Sequence, residues 1–446
     1  MDGLPKPQRY WAAVAIWLTI SMAVVDATIA NLALPTIAKQ VGASPATSVW
    51  VINAYQLAIT VLLLPLAALG DRIGHRRVYL PGIILFVLGS LACALSQTLG
   101  QIIAARMFQG IGAAAIMSMN AAMVRATYPL SMLGRGIGYN ALVLSLSAAA
   151  GPTLGALLLS VASWPWLFAV NVPIGLAAFG IGLRALPRTP GHGGKPNYLS
   201  AALSALMIGP AVFGCESIAR GDGSLGLPLL AVAVIAGVLL WRRDRSRPAP
   251  LLPIDLLRIP IFALSICTSL VSFAAQMLAL VTLPFLLQSV LGRSVLESGL
   301  LISLWPLAVG VTAPLAGRLS DCYPAGILGG IGLGVFSLGL LAQSLLGSNP
   351  STAAILVCMA VCGAGFGFFQ SPNNRTLVNA APRERSGAAG GMLATARLLG
   401  QSAGAVAVAA GFHQLGVGSA HLLLRAAAVA AEIAAVISLL RMRVSR

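Results

Sequence analysis

The chain has 446 residues, 58% of them hydrophobic and 9% charged, with a mean hydropathy of +0.90. Soluble domains carry about 25% charged residues, so a chain this poor in charge has no polar coat for water and is excluded from the soluble enzymes. The net charge of +17 does not point to nucleic acid, because the 25 Arg and 3 Lys gather in short segments between apolar runs, a mark of membrane topology.

The predicted elements are fourteen helices, each long enough to cross about 30 Å of hydrocarbon. Six come first, over Trp11–Leu34, Val49–Leu69, Val78–Leu95, Ile102–Val124, Ile137–Leu159 and Leu167–Leu183. A polar, glycine-rich linker from Pro187 to Asn197 leads to two more, Leu199–Ile218 and Leu227–Trp241, and to a basic stretch from Arg242 to Arg247. The last six are Ile261–Leu287, Gly299–Ala316, Ile327–Leu346, Ala353–Phe369, Ala388–Phe412 and Leu422–Leu440. The first run is too long for a signal peptide and lacks a small-residue cleavage site, so it is expected to stay as a helix. Alternate connections hold 22 basic residues against four on the other side, which places both termini in the cytoplasm.

The chain repeats itself at an offset near 250. Pro65–Asp71 returns as Pro314–Asp321, Gly110-x-Gly112 as Gly363-x-Gly365, and Gly151-Pro-x-x-Gly155 as Gly400-Gln-x-x-Gly404. The expected fold is an all-α polytopic membrane protein with two six-helix bundles in parallel pseudo-repeat and two inserted central helices. The expected division is 1–190, 191–255 and 256–446. The six cysteines (Cys93, Cys215, Cys267, Cys322, Cys358, Cys362) have no His nearby to complete a metal site and read as packing residues. No P-loop, zinc-ligand run or G-x-S-x-G is present, which argues against an ATP-driven pump and against an enzyme.

Four motifs lie in order. The first helix carries Asp26-Ala-Thr28-Ile-Ala-Asn31-Leu-Ala33-Leu34-Pro35. The loop after the second reads Gly70-Asp71-Arg72-Ile-Gly74-His75-Arg76-Arg77. The fourth helix reads Arg106-Met-Phe-Gln109-Gly110-Ile-Gly112-Ala113-Ala114, and the fifth Gly151-Pro152-Thr-Leu-Gly155-Ala156. With the Trp164–Gly175 stretch, these resemble the fourteen-helix drug:proton antiporter branch of the major facilitator superfamily. Departures are Ala67 where the loop motif has Gly, Ala156 and Ser147 around the fifth-helix motif, and no acidic residue in the tenth helix. The resemblance implies a secondary transporter that exports lipophilic, often cationic, drugs or biocides in exchange for protons by alternating access. The alternative is a proton-coupled exporter of one metabolite, such as a siderophore or amino acid. Its expected partners are a small molecule, protons and the lipid bilayer, without nucleic acid, metal or cofactor. It is expected to act as a monomer in the bacterial cytoplasmic membrane.

Charges inside the spans are the first functional candidates. A buried carboxylate costs at least about 2.5 kcal/mol on insertion scales, so it must pair, take a proton or face water. Asp26 reads either as a proton-coupling carboxylate or as the structural partner of Arg106. Arg106, which cannot lose its proton, reads as a tuner of that carboxylate or as an ion pair between the first and fourth helices. Glu432 is a second proton-site candidate or a buried bridge to Arg397, and Glu216 ends the seventh helix within reach of water. Gly70, Asp71, Arg72, Gly74, Arg76 and Arg77 fit a gate that holds the halves together in one conformation. Gly151, Pro152 and Gly155 allow close packing and a bend. Polar or aromatic interruptions mark the expected cavity wall: Asn31, Trp50, Tyr55, Gln56, Asn120, Asn140, Gln276, Met277 and Trp305. Each also has a plain reading as a packing residue.

Overall fold

A computed structural model describes residues 3–189, 191, 198–219, 222–244, 254–320, 322–381 and 386–444. Among the described residues there are fourteen helices long and apolar enough to cross a membrane, and no strand. They are α1 (Gln8–Gln40), α2 (Pro45–Ile73), α3 (His75–Leu95), α4 (Leu99–Thr127), α5 (Arg135–Val161), α6 (Trp166–Ala185) and α7 (Tyr198–Ile218). They continue as α8 (Gly223–Arg243), α9 (Pro260–Val290), α10 (Val295–Leu319), α11 (Ala325–Ser344), α12 (Thr352–Leu377), α13 (Ala389–Leu415) and α14 (Val417–Met442). Four of them carry a polar side-chain cap at their start, from Ser44, Thr98, Ser294 and Ser351. At the start of α4 the Thr98 side chain accepts from the Gln101 amide and Gln101 bonds back; Ser294 and Glu297 do the same for α10.

The repeat is visible as packing. On α4, Gly110 lies against Tyr55 and Ala58 of α2, and Gly112 against Gly82 and Phe86 of α3. On α12, Gly363 lies against Trp305 and Ala308 of α10, and Gly365 against Gly332 and Phe336 of α11. One glycine of each pair thus serves each neighbouring helix, and a Cβ at any of the four would strike backbone or Cβ atoms. The second glycine motif repeats in the same way. Gly151 and Gly155 of α5 meet Thr28 and Ile29 of α1, and Gly400 and Gly404 of α13 meet Leu270 and Ala274 of α9.

The two halves join on the face away from the basic loops, and α13 also reaches α2 nearer the basic face, where Gly391 meets Leu64. Gly299 of α10 sits against Pro152 and Ala156 of α5 and Leu32 of α1. Thr153 and Ser303 share a hydrogen bond of 2.7 Å, and Gln288 Nε2 donates to the Leu32 carbonyl at 3.1 Å. Halfway across, Gln56 of α2 donates to Gln401 of α13 at 2.8 Å. The inserted α7 and α8 pack on each other, and α7 lies against both α2 and α13. Of the basic residues that set the expected orientation, Lys195, Arg220, Arg245, Arg247, Arg383, Arg385 and Arg446 lie outside the described residues.

Candidate functional site

Asp26 sits near the middle of α1 and is 2% exposed; Arg106 of α4 is 1% exposed. The two form an ion pair through Arg106 Nη1 and Asp26 Oδ2. The other carboxylate oxygen, Oδ1, accepts from Gln109 Nε2 at 2.9 Å and from Asn171 Nδ2 of α6 at 2.8 Å. Gln109 Nε2 also donates to Ser90 Oγ of α3 at 2.8 Å. The charge of Asp26 is therefore held by one cation and two amides, as a buried carboxylate requires.

Arg106 has acceptors beyond Asp26. Its Nη1 reaches Gln109 Oε1 at 2.6 Å and its Nε the Val51 carbonyl of α2 at 3.1 Å. The guanidinium lies 4.0 Å from the centre of the Tyr55 ring and 5.5 Å from that of Phe168. If Asp26 takes a proton, these groups keep the arginine from being stranded in an apolar core. The network draws on α1, α2, α3, α4 and α6, so five helices report on one carboxylate. Gln109 and Asn171 stand inside the motifs, yet 83 and 145 residues separate them from Asp26, and no local pattern shows that both bond it.

The remaining candidates divide. Tyr55 belongs to the network, and its hydroxyl donates to the Ala23 carbonyl at 3.3 Å. Gln56 bridges the halves. Asn31, Asn120 and Asn140 each hold a buried carbonyl oxygen with no hydrogen-bond partner among the described residues, and Gln276 is half-buried. Three residues expected on the cavity wall sit elsewhere. Met277 is buried in an apolar cluster drawn from both halves, with Leu32 and Ala156 of the N-terminal one, and Trp305 packs edge-on against Phe336 at 5.4 Å. Trp50 stacks on Phe213 of α7 at 4.9 Å and its indole donates to Glu216, so it docks the inserted helix. Glu216, expected at a wet outer surface, is accordingly 1% exposed.

Glu432 does not meet Arg397. It lies on an exposed stripe of α14 with Val429, Ile433 and Val436, while α14 packs through its other face on α9 and α11. The bridge expected from sequence is absent among the described residues. Arg441, which reads from sequence as a topological charge, is buried. It donates to Ser265 Oγ at 3.1 Å and Asn373 Oδ1 at 2.6 Å, and it bonds Ser438.

Among the described residues the loop motif makes several bonds inside its own half. Asp71 pairs with His75 at 2.9 Å, and Arg76 donates to the Leu186 carbonyl at 3.0 Å and to that of Leu183, at the end of α6. Arg77 donates to Ile73 at 3.3 Å, and Arg72 ends α2. Gly74 has a φ of +101° between α2 and α3, where a side chain is strained. Gly70 is buried against Met119 of α4. Among the described residues these bonds brace α2, α3 and α6.

The profile of the Major Facilitator Superfamily matches residues 16–405. "Uncharacterized transporter YebQ" of Escherichia coli (strain K12) is 52% identical over 99% of this chain and 97% of its own length. "Riboflavin transporter RibZ" of Clostridioides difficile (strain 630) is 29% identical over 88% of this chain and 86% of its own. "Multidrug resistance protein Stp" of Mycobacterium tuberculosis (strain CDC 1551 / Oshkosh) is 32% identical over 88% of this chain and 73% of its own. A solved POT family transporter in complex with a thioalcohol-conjugated peptide aligns with a TM-score of 0.72 at 14% identity, over 99% of this chain and 97% of that one. A curated multidrug-resistance relative and the family match along most of the chain agree with the four motifs. The chain belongs to the major facilitator superfamily, in its fourteen-helix drug:proton antiporter branch.

Proposed function

We propose that the protein is a proton-coupled exporter of lipophilic drugs or biocides in the bacterial cytoplasmic membrane. The observation that carries this reading is the mid-membrane Asp26–Arg106 pair with its spare acceptors. Asp26 is the coupling carboxylate. When it is ionised, it holds α1 to α4 and α6 through Arg106, Gln109 and Asn171. When it is protonated, Arg106 turns to Gln109 and Val51, and the grip on α1 weakens. Residues 1–190 and 256–446 then move as two bundles, with 191–255 between them, and the joined outer face opens as the basic face closes. The loop motif, released from the end of α6, is the element that meets the opposite half in that second state. The transporter works as a monomer. A second reading, export of one metabolite, is favoured by the 29% identity to a riboflavin transporter, and it uses the same proton site.

The test is substrate flux in everted vesicles with an imposed pH gradient, using a panel of dyes and biocides. Flux should collapse with an uncoupler and survive ATP depletion. The variant Asp26→Asn should reach the membrane in normal amount and lose gradient-driven flux. Full flux in Asp26→Asn, or flux that stops only when ATP is removed, would overturn the reading.

A further inference from the structure

Arg397 is the one cation near the middle of the spans that has no hydrogen-bond acceptor or counter-ion among the described residues. It lies on α13, one turn from Gln401, which binds Gln56 across the two halves. Next to it Leu398 packs into the core around Tyr55 and Ile59 of α2. On its other side Gly400 rests against Leu270 and Phe273 of α9. Arg397 therefore points between α2 and α9, into the space the two halves share. The residue is exposed although helices α2 and α9 flank it, the condition of a cavity wall. The guanidinium lies 5.5 Å from the centre of the Phe273 ring. α13 starts at the basic face, and Arg397 is two turns in from that end, on the side where the outer seal does not reach.

The other charges within the membrane leave this one uncompensated. Asp26 and Arg106 neutralise each other inside the N-terminal half. Glu216 bonds Trp50 on the inserted α7, and Glu432 faces outward from α14. Arg441 is shut into a neutral cluster at the end of α14. Among the described residues inside the spans, no carboxylate pairs with Arg397.

We propose that Arg397 is the substrate anchor and that the cavity selects lipophilic anions, such as aryl carboxylates or sulfonates, over lipophilic cations. This deepens the transporter reading and rests on it. The planar guanidinium takes a carboxylate or sulfonate through two parallel hydrogen bonds, and the Phe273 face takes the aromatic body. Export of a monovalent anion against entry of one proton moves two charges in the same sense. An inside-negative potential then drives the exchange together with the pH gradient.

The experiment uses the purified full chain in lipid nanodiscs and two probes of the same shape and opposite charge, naphthalene-2-sulfonate and 2-naphthyltrimethylammonium. Saturable binding is followed by calorimetry, with sodium sulfate as a third ligand. The sulfonate should bind more tightly than the ammonium, and sulfate alone should bind far more weakly than the sulfonate. The variant Arg397→Gln should weaken sulfonate binding roughly tenfold to a hundredfold, the range of one lost charge-assisted pair, and leave the ammonium unchanged or tighter. Arg397→Lys should recover part of the loss. Unliganded thermal midpoints should match, which separates recognition from folding. Equal or tighter binding of the ammonium, sulfate binding as tight as the sulfonate, or an unchanged Arg397→Gln would overturn the proposal, and so would saturable binding of neither probe. Binding as expected without gradient-driven flux in proteoliposomes would contradict the transporter reading alone.

Discussion

The two halves share their helix contacts and differ at their centres. With Gly110–Gly112 aligned on Gly363–Gly365, Arg106 corresponds to Met359 and Gln109 to Cys362. The N-terminal centre is an ion pair wrapped in amides, whereas the C-terminal centre is a chain of edge-on rings. Phe273 meets Phe366 at 5.4 Å, Phe366 meets Phe336 at 5.5 Å, and Trp305 meets Phe336 at 5.4 Å. What is duplicated is the backbone approach that small residues permit. What is not duplicated is the titratable chemistry. The N-terminal centre holds an ionisable pair, and the C-terminal centre holds rings in dispersion and quadrupole contacts.

The largest expected effect comes from giving the N-terminal half the C-terminal residue. Arg106→Met leaves Asp26 as a buried carboxylate without its cation. It should lower stability by about 3–5 kcal/mol, read as a drop in the thermal midpoint of the purified protein. Adding Asp26→Leu should restore most of that loss without restoring transport, because a matched apolar pair is cheaper to bury than one stranded charge. If the double variant stayed as unstable as the single one, the centre would owe its stability to packing and not to charge balance.

Next come the shared contacts. Gly112→Ala drives a Cβ into Phe86 and Gly82, and Gly365→Ala drives one into Phe336 and Gly332. Each should cost about 1–3 kcal/mol by overpacking, and the two losses should be alike if the halves are true repeats. A clear inequality would break the register on which the comparison stands. Phe366→Leu should cost about 1 kcal/mol by removing its ring contacts while leaving the pH dependence of transport unchanged. The smallest effect is expected at the loop surface. Arg77→Ala, which removes one exposed bond to a carbonyl of the preceding turn, should change stability by no more than about 0.5 kcal/mol.

Much of this was legible in the sequence. Fourteen apolar runs are a strong signal because hydrocarbon admits few alternatives to a helix. The repeated glycines are legible because each marks a close approach that larger residues forbid. The pairing of Asp26 with Arg106 followed from two charges at similar depth that each needed a partner. Rotation about a helix axis was not legible. Glu432 and Arg397 lie inside neighbouring helices in the chain, yet Glu432 sits on an outward stripe and Arg397 stands beside Phe273 of α9. With small apolar residues on every side of α14, composition does not tell which face is covered. Trp305 and Met277, expected on the cavity wall, are buried. An aromatic or thioether side chain suits a cavity wall and a core equally well, and only the packing partner decides.

The most direct test of the central claim, that Asp26 is the group whose protonation moves the halves, needs no substrate. Spin labels at Val161 and Leu300, exposed ends of α5 and α10 beside the outer seam, report its opening by electron–electron distance measurement. The labels are placed in a background with the six native cysteines replaced. The wild-type distance distribution should shift as pH falls, with a longer component gaining weight. Asp26→Asn should show the low-pH distribution at every pH. A variant that still shifts with pH as the wild type does would contradict the account and place the coupling proton elsewhere.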